Sequence, residues 1–242
     1  MKKIINVHPA VISVWAGVIA AGHLLPTFPI FGTGGSFSLS TVLYPLSGLF
    51  FGPLAGALCS AVGGFIGSLI APHTAWMGLG TFIIGTTTAF TTGCTAQAKP
   101  RYAAFAVLVY ITGAVLWFTH EIGRSIFYFP LIFYGLGFIV MLIAVFFAGK
   151  MFAHKNKIFM FPALWLCAFG GLVGGATIGN FFSLVLYKQP REVWAVLTVT
   201  APIERAVFAA AAMLVGVPLL TGLNKMGISA GPAINREETN EN

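Results

Sequence analysis

A chain of 242 residues that is 57% hydrophobic and only 8% charged, with a mean hydropathy of +0.90, lacks the composition of a water-soluble domain, in which about a quarter of residues are charged. The formal net charge of +7 comes from Lys and Arg gathered between apolar runs, so it calls for no nucleic-acid partner. There is no Asp, which excludes a Ser–His–Asp triad, and neither a Gly-Lys-Ser/Thr phosphate loop nor a His-Glu-x-x-His pair occurs.

Stretches able to cross about 30 Å of hydrocarbon run over 9–25, 40–71, 77–97, 102–122, 126–149, 160–187 and 196–223. They predict an all-α fold, a polytopic integral membrane bundle of about six to eight transmembrane helices. One transmembrane domain covers 1–230 and a polar tail covers 231–242, with Glu237, Glu238 and Glu241. The run 40–71 would make a helix about 48 Å long, and Gly52-Pro53 interrupts its middle. It reads as two spans, 40–51 and 53–71, meeting at a tight turn; one strongly kinked span is the alternative.

Charge bias favours the turn. Eight spans with both termini in the cytoplasm place Lys2, Lys3, Lys99, Arg101, Lys150, Lys155, Lys157, Lys225 and Arg236 inside. Arg124, Lys188 and Arg191 lie outside, and Arg205 falls within a span. Seven spans would send either the 150–157 cluster or Lys99 and Arg101 to the wrong side.

Lipid provides no hydrophobic drive between helices, so small residues at the interfaces matter. Gly52 and Gly56, Gly63 and Gly67, and the run Gly170, Gly171, Gly174, Gly175, Gly179 read as packing seams. Cys59, Cys94 and Cys167 stand singly and read as small apolar residues rather than as metal ligands or disulfide partners.

The ionisable and polar residues outside the cytoplasmic loops converge on the outer third of the bundle. In the eight-span reading these are His23, His73 with Trp76, then His120, Glu121 and Arg124, then Lys188, Arg191, Glu192 and Trp194, and finally Glu204 and Arg205 inside the last span. Ionisable groups at membrane depth are costly and mark a pathway or ligand site. Neighbouring helical positions point about 100° apart, so Glu204 is free to meet Arg124, and Arg205 to meet Glu121. A buried structural pair is the bland alternative for Glu204 and Arg205. His120-Glu121-Arg124 reads equally as a helix end with an exposed ion pair. Asn180 either bonds across the glycine seam or faces a ligand. His23, His73 and His120 together leave a metal or haem site open.

The segment 37–58, with Gly48-Leu-Phe-Phe-Gly52-Pro53-Leu-Ala-Gly56-Ala57, resembles the membrane substrate-binding (S) components of energy-coupling factor vitamin transporters. Ala16-x-x-x-Ala20 is similar to the alanine motif by which those proteins dock on a transmembrane coupling subunit, and Ala201-Pro-Ile-Glu-Arg-Ala206, leading to Gly216-Val-Pro218, resembles their final helix. The resemblance implies an outer-face pocket for a vitamin-like solute, lidded by the loop Pro26 to Phe37 with Gly32, Gly34 and Gly35. It also implies a coupling subunit and ATPase subunits as partners. The departure is in span number, six in that family, and the excess lies between 102 and 187. The N-terminal His motif of the metal-transporting branch is not matched.

The expected function is therefore that of a substrate-binding subunit of an ATP-driven micronutrient importer, not an enzyme, in the cell membrane and without a cofactor. Its expected ligand residues are His23, Trp76, His120, Glu121, Arg124, Asn180, Glu204 and Arg205, and its docking residues are Ala16 and Ala20. A stand-alone transporter or channel, and a structural subunit of a larger membrane complex, are the competing readings.

Overall fold

Three helices of this chain start at proline, whose missing N–H is harmless in a first turn. The computed structural model describes residues 8–30, 35–97, 99–154, 156–226 and 230–232. In chain order these form α1 (Pro9–Gly22), a hairpin of β1 (Pro26–Pro29) and β2 (Ser36–Ser38), α2 (Ser40–Phe51) and α3 (Pro53–Ile70). Two 3-10 turns (Pro72–Thr74, Gly78–Thr81) lead to α4 (Phe82–Ala96), α5 (Pro100–Thr119) and the five-residue α6 (Glu121–Ser125). Then come α7 (Tyr128–Phe152), a 3-10 turn (Lys157–Phe159), α8 (Met160–Tyr187) and α9 (Arg191–Lys225). Pro9, Pro53 and Pro100 open α1, α3 and α5.

The fold is an all-α bundle, with a helix in each of the eight expected segments. Five are long and apolar enough to cross a membrane: Pro53–Ile70, Pro100–Thr119, Tyr128–Phe152, Lys157–Tyr187 and Arg191–Lys225. The other three fall short of the eight full spans expected. At 14, 12 and 15 residues, α1, α2 and α4 measure about 21, 18 and 22 Å. The chain beyond α1 turns into the β-hairpin, and 72–81 is spent on 3-10 turns around Pro72 and Gly78. At the other extreme α9 begins five residues before the expected span, because Arg191 and Glu192 join its first turn behind the Pro190 cap.

Residues 40–71 form a helical hairpin rather than one kinked helix. Gly52 takes φ 83°, a conformation that suits glycine, and ends α2 just before Pro53 starts α3. The two helices then run back along each other. The Ser60 hydroxyl donates to Ser47 Oγ at 2.7 Å, while Ser47 donates to the Tyr44 carbonyl. A side chain at Gly56 would come within 2.5 Å of the backbone of Ser47 and Gly48. All residues of α2 except Thr41 are buried.

α4 and α8 pack at the centre through the glycine run. A Cβ at Gly174 would meet Thr91 Cγ2 at 2.8 Å, and Cβ atoms at Gly171 and Gly175 would run into Thr92 and Thr88. The threonine hydroxyls of 92 and 95 are spent within α4, on the carbonyls of Thr88 and Thr91. This seam is thus close, as the spacing predicts. Gly63 plays the same part between α3 and α1, where its Cβ would lie 2.5 Å from the Ala16 carbonyl oxygen.

That contact corrects the docking assignment. Ala16 and Ala20 are buried, and Ala16 faces α3 rather than an outside partner. The open face of α1 carries Ala10, Val14, Gly17 and Ala21 instead.

Candidate functional site

Below the β-hairpin, at the end of the bundle where α1 finishes and α9 begins, the packing opens into a cavity of about 100 Å³. Ser40, Thr41 and Tyr44 of α2 line it, as do Gly85 and Thr88 of α4, Leu172 to Ser183 of α8 and Trp194 to Arg205 of α9. The hairpin closes one side with Ile30, Ser36, Phe37 and Ser38. Its strands pair antiparallel, Pro26 with Ser38 and Pro29 with Ser36. Phe28 and Phe37 both pack edge-on against Phe208 of α9, with ring centroids 5.7 and 5.3 Å away. The expected lid is therefore a pinned hairpin; Gly32 and Gly34 lie outside the described residues, while Gly35 accepts a backbone bond from Ile30 at 2.9 Å.

Five of the eight expected ligand residues line this cavity: His23, Trp76, Asn180, Glu204 and Arg205. His23 is 2% exposed and is already engaged. Thr74 donates its hydroxyl to the Ala71 carbonyl, so its oxygen can only accept from His23 Nδ1–H, at 2.9 Å. Nε2 of the neutral ring then accepts from the Tyr44 hydroxyl at 2.7 Å. His23 is in this way a locked strut of the cavity floor, with neither nitrogen left for a metal. Trp76 is half-buried; its carbonyl accepts from the Tyr187 hydroxyl and its ring lies 5.8 Å from that of Tyr187.

Arg205 lays its guanidinium 4.7 Å over the ring of Phe37, and its buried Nε has no hydrogen-bond partner. Asn180 sits beside the Tyr134 hydroxyl, yet neither its Nδ2 nor that hydroxyl meets a partner in bonding geometry. Trp194, wholly buried against Trp117 and Phe129, also leaves its Nε1–H unpartnered. Three buried donors on the cavity wall are thus unspent. Buried polar groups in folded proteins nearly always find partners, and an unspent cluster in a cavity is complementary to something that fills it.

His120, Glu121 and Arg124 do not reach the cavity. They share its end of the bundle but not its interior. His120 accepts from the Ile122 N–H and so caps α6, whose Glu121 and Arg124 are exposed. The Trp117 indole, donating to the Gly123 carbonyl at 2.9 Å, fixes that turn. The pairings expected of Glu204 with Arg124 and of Arg205 with Glu121 are not formed among the described residues; an exposed α6 cannot meet α9 across the buried Trp117–Trp194 contact, whose centroids are 4.7 Å apart. Nor do three His, Cys, Asp or Glu side chains gather to hold a metal among the described residues, which removes the geometric basis for the three-histidine site.

Several lining residues carried no sequence signal of their own. Tyr44, Thr74, Phe129 and Gln189 sit inside or beside apolar runs, and only packing turns them inward. Trp194 was visible as one of the tryptophans at this end. No family model, no curated protein and no solved structure matches this chain.

Proposed function

We propose that this chain is a multi-pass cell-membrane protein that holds a small solute taken from the outer face, and that it serves as the substrate-binding subunit of an ATP-driven micronutrient importer. The observation that carries the reading is the cavity under the hairpin, with aromatic walls and buried donors that no group among the described residues satisfies. Ligand sites have this make-up, mostly apolar with a few converging polar groups.

The membrane placement is supported by the surface. Val14, Leu131, Phe146 and Val199 are each 65–70% exposed, and outward apolar side chains on this scale suit lipid rather than water. Lys99, Arg101, Lys150, Lys157 and Lys225 lie at the end opposite the cavity, which supports a cytoplasmic placement of that end by the positive-inside rule. Close packing below the cavity supports a holder over a channel: a Cβ at Gly48 would run into Ala89 and Gly93, and one at Gly93 into Pro53, so α2, α3 and α4 are tightly apposed there. A holder needs partners to move its cargo. With no phosphate loop in this chain, a coupling subunit and ATPase subunits would provide the energy, in the manner of the energy-coupling factor S components. A partner helix would meet the open face of α1 at Ala10, Val14, Gly17 and Ala21.

The test is affinity purification in mild detergent with identification of the proteins and solutes retained. Recovery of ATPase subunits together with a small solute supports the proposal. Solute uptake by the purified chain alone in liposomes would overturn it in favour of a stand-alone transporter.

A further inference from the structure

The cavity walls also restrict what the solute is. Resting on the solute-holding role above, and narrowing it, we propose that the cavity selects a planar heteroaromatic solute with no net charge and with more hydrogen-bond acceptors than donors.

Charge balance comes first. Among the described residues, Glu204 and Arg205 are the only carboxylate and guanidinium on the cavity wall. Among the described residues neither forms an ion pair at bonding distance, although each feels the other's charge, and Arg205 faces the Phe37 ring. The other charges at this end, Glu121, Arg124, Lys188, Arg191 and Glu192, do not line the cavity. An anion would confront Glu204 and a cation would confront Arg205, in a setting where an unpaired charge is costly. A solute of zero net charge that offers an acceptor to Arg205 and a donor to Glu204 satisfies both.

The donor census comes next. His23 is spent on Thr74 and Tyr44, Ser183 on Gln189, and Thr81 on the Gly78 carbonyl. Beside the Glu204 carboxylate, the fully buried atoms of the lining without a partner among the described residues are Arg205 Nε, Asn180 Nδ2 and Trp194 Nε1, all donors. Ring nitrogens and ring carbonyls are the acceptors that suit them. The walls themselves bring Phe37, Tyr44, Trp76, Phe129 and Trp194 around the space, and aromatic faces and edges favour a flat π-system over an aliphatic body.

The test uses purified full-length protein in detergent. Solutes retained from the cell are extracted and identified by mass spectrometry and ultraviolet absorption. In parallel, thermal shift is measured with a matched pair of probes, pterin and pterin-6-carboxylate, and with the aliphatic zwitterion glycylglycine. The expected result is a retained or stabilising solute that is flat, ultraviolet-absorbing and uncharged overall, with pterin favoured over its carboxylate. Glu204→Gln, Arg205→Gln and Asn180→Asp should each lower its retention about tenfold or more, as for loss or reversal of one buried charged contact. Their melting temperatures report whether the fold is kept, and Glu204→Gln, the mildest change, serves if another variant does not fold. An aliphatic or net-charged solute overturns the proposal. So does a folded Glu204→Gln protein with undiminished binding, or a wild type that retains nothing and responds to no probe. Recovery of ATPase subunits with a charged or aliphatic solute would sink this inference and leave the importer role standing; autonomous uptake of a flat neutral solute would do the reverse.

Discussion

Replacing Gly56 with alanine tests the helical hairpin directly. The new Cβ would lie 2.5 Å from both Gly48 Cα and the Ser47 carbonyl oxygen, all backbone atoms of the facing helix that no rotamer change can move. Restoring ordinary contact requires α2 and α3 to part by roughly 1 Å, and overpacking of this kind costs about 1–3 kcal/mol. Alanine returns up to about 1 kcal/mol of helix propensity, so with rigid neighbours on both sides a net loss of about 2 kcal/mol is expected. At about 2–4 °C per kcal/mol for a chain of this size, the melting temperature in detergent should fall by roughly 4–8 °C. Gly17→Ala is the matched control, since nothing lies within 4 Å of its added methyl group; it should melt at or above the parent temperature. If Gly56→Ala melts with Gly17→Ala, the two helices do not lie back to back and the single kinked span has to be reinstated.

Other expected outcomes follow from the same contacts. Gly174→Leu, whose Cβ alone would meet Thr91 at 2.8 Å, should abolish the monodisperse peak in size-exclusion chromatography. Tyr44→Phe leaves His23 Nε2 buried without its donor, and should cost about 1–3 kcal/mol, measured as a lowered melting temperature. Glu121→Gln and Arg124→Gln, exposed on α6, should leave solute retention unchanged; loss of retention would bring α6 back into the site. A cysteine at Lys188 should react with an impermeant maleimide on intact cells and one at Lys99 should not, the native Cys59, Cys94 and Cys167 being buried; the reverse labelling would invert the orientation.

How much of this was legible depends on what kind of signal a residue gives. Apolar run length locates helices because a buried or lipid-facing helix is apolar all round, and the Gly52-Pro53 pair marks the turn because glycine and proline there meet a backbone requirement. The four-residue glycine spacing of 170–179 predicts a close seam, and α4 fills it with Thr88, Thr91 and Thr92. Which face of an apolar helix points inward is a different matter, since no periodicity distinguishes lipid from protein. That is why Ala16 and Ala20 are expected outside and are found buried, Ala16 against α3, and why His120, Glu121 and Arg124 share an end with the cavity without entering it. Glu204 and Arg205 were legible because charge inside an apolar run is conspicuous on its own. Tyr44 and Thr74 were not, because a hydroxyl inside an apolar run gains meaning only from its partner, here His23.

The helices of the bundle are unequal in length. Placed in a bilayer, α7 offers lipid a 25-residue flank, about 37 Å tall, with Leu131, Ile139 and Phe146 facing outward. On another side α1 offers only 14 residues, about 21 Å, and α2, shorter still, is sheathed by protein. Acyl chains cannot match both heights at once, so the leaflets must pinch beside α1 or the whole body must lean, at a fraction of a kcal/mol for each ångström of mismatch. In a bilayer, lipid chain length would thereby act as a mechanical load concentrated next to α1, the helix capped by His23.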